Sequence, residues 1–199
     1  MPFVSAILLA AGESTRMGWQ KALLPWEATT LLEYQLAQLS GVDEIQQIIV
    51  VTGHDPDRIT AIAAPTPGVI VVHNAGYGTG KVSSIKAGVT AASPQAEAIL
   101  LLAVDQPRSA AIHATLVRAH VALGGAITLP TNAGHRGHPI IFSTALRSEL
   151  MTMSEATHGV RALLQHHAAE VTAIEVSDPQ VNVDLNTPSD VKRSDSQSR

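Results

Sequence analysis

The 199-residue chain contains no cysteine. That absence excludes disulfides, a thiolate zinc site and a cysteine nucleophile, and it is compatible with a reducing cytoplasm. There is no run of Lys or Arg among its 13 basic and 17 acidic residues, and a net charge of -4 argues against a nucleic-acid partner while leaving small anions open. No apolar stretch approaches the length of a membrane span, and "MPFVSAILLAAGE" lacks the basic n-region of a signal peptide. The expectation is a cytoplasmic protein with no membrane partner. Internal repeats and low-complexity segments are also missing.

The chain instead has short continuous apolar runs: "FVSAILLA", "QQIIVVTG", "GVIVVHN" and "AEAILLLAVDQP". Continuous runs indicate strands covered on both faces, as in a parallel sheet. Helical patterns lie between them. "TTLLEYQLAQLS" has apolar residues at Leu32, Leu36 and Leu39, and "DPDRITAIAA" opens with Asp55 as an N-cap and Pro56 at N1. This alternation predicts a single-domain, doubly wound α/β fold of Rossmann-like type with a mostly parallel sheet. After position 125 the rhythm changes through "AITLPT", "NAGHRGHP" and "IIFS", which adds an antiparallel element to the same sheet. One domain over 1–192 is expected, with a frayed polar tail at 193–199.

"LLAAGESTRMGWQK", positions 8 to 21, stands at the end of the first strand. Gly12 and Gly18 permit close backbone approach, and Arg16 and Lys21 supply positive potential. In open α/β sheets ligands bind beyond the carboxyl ends of strands, so an anionic ligand is expected here. Two phosphate motifs are excluded. A Walker loop needs four residues between its glycines, where five separate Gly12 from Gly18, and the dinucleotide fingerprint needs glycine at Ser14. A second loop, "NAGYGTGKVSS", misses the Walker pattern at Ala75 and Val82. An ordinary βα turn is the alternative for each loop.

"LLAAGESTRMGWQKALLP" closely resembles the signature of nucleotidyltransferases related to molybdenum cofactor cytidylyltransferase. "VSSIKAG", "DQP", "RGHPIIF" and "VDLNTPSD" resemble further motifs of that family in the same order. The resemblance implies transfer of a nucleoside monophosphate from a triphosphate to a phosphorylated acceptor, with pyrophosphate released. It implies Arg16 and Lys21 as catalytic cations, and nucleotide binding by Leu9, Ala10, Ala11, Gly12, Asn74, Gly80 and Ser84 as well. Ala11 is the family's mark of CTP, since glycine there goes with guanine. Molybdopterin or molybdenum cofactor is then the implied acceptor, with a client molybdoenzyme or chaperone as a possible partner. A sugar or polyol phosphate acceptor, a non-catalytic nucleotide-binding role, and a phosphotransferase built on Gly80-Lys81 stay open.

Asp105 ends an apolar strand before Gln106-Pro107. Asp184 follows "VNV" and precedes "NTPSD", which reads as a helix start with Thr187 as N-cap and Pro188 at N1. Both carboxylates could cap turns; with the resemblance they are assigned to Mg²⁺, a hard cation that takes carboxylate and phosphate oxygens. Gln106, Pro107, His138 and Arg161 are assigned to the acceptor. Four departures from the family pattern bear on that acceptor: Lys81 in place of Met, His158 in place of an acid, no glycine between Pro25 and the following helix, and Asn186 at the second acidic position of the closing motif. Of nine histidines, His135 and His138 are read as a polar rim of the acceptor pocket. The adjacent His166 and His167 are read as a poor chelate, because helical neighbours point about 100° apart. Trp19 and Trp26 are read as core or rim packing.

Overall fold

A computed structural model describes residues 1–13, 19–187 and 190. Arg16, Gly18, Pro188 and the 193–199 tail lie outside the described residues.

Strand β1 (Val4–Ala10) is buried along its whole length, and its side chains alternate between two cores. Ala6, Leu8 and Ala10 face one cluster; Ile7 and Leu9 face the other. An apolar run without alternation is what two covered faces require. The first cluster receives α1 (Leu31–Ser40), α2 (Pro56–Ala63) and α4 (Ala110–Leu123) through Leu32, Ile59 and Leu116. The second receives α3 (Lys81–Ala91), α5 (Arg147–Thr152) and α6 (Gly159–His166) through Ile85, Leu150 and Leu163.

The other strands are two short ones, β2 (Pro25–Trp26) and β3 (Thr29–Thr30), then β4 (Ile45–Thr52), β5 (Val69–His73), β6 (Ala98–Ala103), β7 (Ile127–Asn132), β8 (His135–Arg136), β9 (Ile140–Ser143) and β10 (Val171–Glu175). The main sheet runs β10-β7-β9-β6-β1-β4-β5, with β8 paired to β7. Leu8 is registered between Val50 of β4 and Leu102 of β6, all parallel. β9 runs antiparallel to both β6 and β7, which is the expected antiparallel element. It follows the β7–β8 hairpin, whose two-residue loop has φ of 49° at Ala133 and 79° at Gly134, the left-handed pair that a tight primed turn demands.

The chain steps from β1 outward to β4 and β5, then returns to lay β6 on the opposite side of β1. Between β1 and β6 the order reverses, the point at which open α/β sheets bind ligands beyond the carboxyl ends of their strands.

Local signals fare unevenly. Thr30 caps α1 with a reciprocal box, its hydroxyl accepting from the Glu33 amide while Glu33 accepts from the Thr30 amide. Pro56 opens α2 as expected. Asp55 stands at the cap position, but its left-handed backbone (φ 55°) turns the carboxylate from the helix amides, and it accepts from Arg58 at 3.3 Å instead. Glu27, in the stretch that lacks the family's glycine, adopts φ 52°. Trp26 is core, edge-on to Tyr34 at 6.0 Å between ring centroids. Trp19 is 76% exposed, which corrects the core packing expected for it.

Candidate active site

The crevice at the β1/β6 reversal is a cavity of about 370 Å³. β1 and the residues just after it contribute Leu9, Ala10, Ala11 and Gly12; β6 and its loop contribute Ala103, Val104 and Asp105; the start of α3 contributes Gly80, Lys81 and Ser84. Lys21 reaches the floor from a short 3-10 turn, Lys21–Leu23, and donates to Asp105 Oδ2 at 2.7 Å and to Asn186 Oδ1 at 3.1 Å. Asn74 does not line the cavity. Its Nδ2 donates to the hydroxyls of Ser83 (2.9 Å) and Ser84 (3.0 Å) and its Oδ1 accepts from the Gly76 amide, so it fixes the loop that presents Gly80 and Ser84.

A second cavity of about 180 Å³ adjoins the first across Lys81 and holds Gln106, His138, His158 and Arg161. Pro107 is outside both; its carbonyl accepts from Arg108 at 2.8 Å. His138 and His135 part company. His135 is exposed on β8, whereas burial pushes the His138 imidazole down to about 4 against the opposing pull of Asp184, leaving it neutral at pH 7. Neutral His138 can exchange a hydrogen bond with a ligand but brings no positive charge.

The second loop opens α3 beside a carboxylate. Glu155 Oε1 accepts from the Val82 amide at 2.6 Å, so the α3 N-terminus already carries an internal anion. Gly80 adopts φ 123°, a backbone that L side chains rarely take, with the Glu155 side chain packed against it.

Arg108 is the largest fully buried side chain and was not singled out by sequence. Its guanidinium donates to four carbonyls: His138 at 2.9 Å, and Pro107, Val183 and Val181 at 2.8 Å each. Asp184 lies 3.7 Å away. Burial lowers the Arg108 pKa to about 10, with Asp184 and then Asp105 opposing the shift, so it stays charged at neutral pH. The Leu185 amide also donates to the Asp105 carbonyl at 2.8 Å. Through these bonds the Asp184 segment is sewn to the end of β6. Beneath, buried Gln35 donates to the Gln106 carbonyl at 2.7 Å and steadies the Asp105 turn.

Asp105 and Asp184 therefore stand on segments joined at one sheet edge, each with a cation beside it. An all-oxygen donor set with a carboxylate that already accepts an ammonium at 2.7 Å fits a hard divalent cation such as Mg²⁺ or Mn²⁺.

The sequence profile of the MobA-like NTP transferase domain matches residues 6–171. The chain is 30% identical to molybdenum cofactor cytidylyltransferase of Escherichia coli K12 over 192 residues, 96% of this chain and 94% of the relative. It is 31% identical to nicotine blue oxidoreductase of Paenarthrobacter nicotinovorans over 196 residues, 94% of each. Among solved structures, Rv0371c of Mycobacterium tuberculosis H37Rv superposes with a TM-score of 0.84 at 27% identity, covering 97% of both chains, and a complex of Rv0371c with manganese superposes at 0.73 and 26% identity. The fold, the crevice at the β1/β6 reversal and the motif order agree with these matches: the chain belongs to the MobA-like NTP transferase family of nucleotidyltransferases.

Proposed function

We propose that the protein transfers CMP from CTP to a phosphorylated acceptor, a molybdenum-cofactor pterin, and releases pyrophosphate. The observation that carries this reading is the pair of adjoining cavities that share Lys81, with Lys21 and Asp105 on the floor of one and His138 and Arg161 in the other. The E. coli relative's name supports the cytidylyl donor and the pterin, and Ala11 in the loop supports CTP over GTP. The manganese complex of Rv0371c supports use of a divalent metal.

In this reaction an acceptor phosphate oxygen attacks the α-phosphorus of CTP; the new P–O bond forms as the bond to the β-phosphate bridging oxygen breaks, and pyrophosphate leaves. The attacking oxygen is already ionised at neutral pH, so no general base is needed. What the protein supplies is alignment of two anions and neutralisation of their repulsion. Lys21, on the floor of the first cavity, is assigned to the α-phosphate or the leaving pyrophosphate. Lys81 stands between the two cavities, against both anions, and Arg161 serves the acceptor phosphate. Gln106 and neutral His138 orient the acceptor by hydrogen bonds, whereas Pro107 acts only through its carbonyl to Arg108. Arg16, outside the described residues, is assigned to the β- and γ-phosphates on the signature alone. Asp105 and Asp184 would hold Mg²⁺, which supplies charge neutralisation at the triphosphate.

The test is pyrophosphate release from CTP, GTP, ATP and UTP with Mg²⁺, with and without molybdenum-loaded pterin. Release with CTP that depends on the pterin is expected. The name of the Paenarthrobacter relative favours a second reading, in which the first cavity holds a nucleotide cofactor for redox chemistry. Oxidation of a reduced nicotinamide cofactor without pyrophosphate release would select it.

A further inference from the structure

We propose that the protein has a second metal site, for a borderline transition metal such as Zn²⁺, where the end of α6 meets α5. The site consists of His166, His167 and Glu149, with Glu170 behind it. It is independent of the nucleotide cavity and of the function proposed above.

Two adjacent histidines on one helix splay too far to chelate. Here the helix ends at His166, and His167 has left helical torsions (φ -97°, ψ 27°), so its ring swings back towards its neighbour. The two imidazole centroids are 4.9 Å apart with planes at 88°. One donor atom from each of His166, His167 and Glu149 lies within 4.8 Å of the other two. His167 Nε2 is 2.8 Å from Glu149 Oε2, and its Nδ1 is 2.8 Å from Glu170 Oε1. A carboxylate on the far nitrogen fixes the tautomer and aims the near one, the arrangement that supports metal-bound histidines. Binding draws in the His166 donor, which lies within 4.8 Å of the other two. Two ligands at about 2.0–2.1 Å from a tetrahedral metal stand roughly 3.4 Å apart, so Glu149 must withdraw by about half an ångström. Its side chain is 41% exposed and free to do so, while that of His167, at 11%, is held in place.

Binding replaces the Nε2 proton of His167 with the metal and releases that proton to water. Two nitrogens and one oxygen select zinc, nickel or copper over magnesium, the reverse of the oxygen pair Asp105 and Asp184. The cation also lies at the carboxyl end of α6, where helix carbonyls favour positive charge. The opposite end of the same helix supplies Gly159 and Arg161 to the second cavity, so the metal staples that wall to α5.

The experiment is calorimetric titration of metal-stripped full-length protein with Zn²⁺, paired with Co²⁺ absorption as a coordination signature. One equivalent of Zn²⁺ is expected, with Co²⁺ bands of four-coordinate intensity. His167→Ala and His166→Ala should abolish the event, Glu170→Gln should weaken it on the order of tenfold, and Asp105→Asn should leave it unchanged. His166 is exposed, so its variant should fold, and circular dichroism checks this. Absence of a zinc event, its survival in folded His166→Ala, or its loss in Asp105→Asn would each overturn the proposal, whatever the outcome for CTP.

Discussion

Replacing Arg108 by Met removes a guanidinium and keeps an apolar stem of similar reach. The four carbonyls of Pro107, His138, Val181 and Val183 then lose their charged donor. Val181 keeps the His138 amide at 3.0 Å as a second donor, so three carbonyls carry the main loss. A buried acceptor left without a partner costs about 1–3 kcal/mol, and breaking a buried charged network costs about 3–5 kcal/mol. Asp184 adds little, since its side chain is 43% exposed and water can take over. The expected loss is therefore about 3–5 kcal/mol by urea unfolding, a large part of a typical domain's stability. Arg108→Lys keeps the charge but reaches at most part of the carbonyl set, and it should fall between wild type and Met. The same variants should bind Mn²⁺ more weakly, because the Asp184 segment is tied to β6 through these bonds. A loss below about 1 kcal/mol for Arg108→Met, or equal stability of Lys and Met variants, would refute the idea that the fork to the carbonyls holds this edge together.

Glu27 sits at φ 52°, where an L side chain is strained and glycine is not, so Glu27→Gly should gain roughly 0.5–1 kcal/mol in thermal or urea unfolding. His113 is fully buried on α4, neither ring nitrogen has a partner among the described residues, and burial pushes its pKa down to about 3. The unfolded chain binds that proton near pH 6.5, so stability present above this value falls as pH drops, by about 2 kcal/mol at pH 5; His113→Leu should lack that part of the acid loss, and identical acid profiles would refute it. Lys21→Met should lower nucleotidyl transfer on the order of 10²–10³-fold while leaving the circular dichroism spectrum intact.

Much of the fold was legible because it rests on local burial. β1 and β6 read as continuous apolar runs since helices cover both faces, and the break in rhythm after 125 marked the reversed strand β9. Sheet order was not legible, because the return of β6 to the far side of β1 is decided by contacts between residues some ninety positions apart. Asp105 announced itself by following a buried apolar run just before a proline, although β6 itself ends two residues earlier at Ala103. Arg108, three residues on, did not, since arginine in a loop is ordinarily a solvated side chain and only the fold shows four carbonyls converging on it. The placement of the histidine pair was not legible for a geometric reason: the helical spacing rule stops applying at His167, where the helix has ended. The stretch after Pro25 that lacks a glycine contains a left-handed residue, Glu27 at φ 52°.

Several charges around the first cavity are held by groups of the chain itself. Lys21 donates to Asp105, Arg108 lies beside Asp184, and Glu155 fills the amide end of α3. A triphosphate that enters without a metal must compete with Asp105 for Lys21 and also meets the Asp105 charge. The two side chains are only 14% and 23% exposed, so water screens this contest poorly. Asp105→Asn removes the competitor and keeps its shape. CTP binding in the presence of a chelator should therefore tighten about threefold to tenfold, the equivalent of roughly 1 kcal/mol, while metal-supported turnover collapses. Opposite movement of binding and turnover separates a metal-holding carboxylate from one that merely caps a turn. If Asp105→Asn bound CTP no better under chelation, Lys21 would not be the group that Asp105 withholds from the nucleotide.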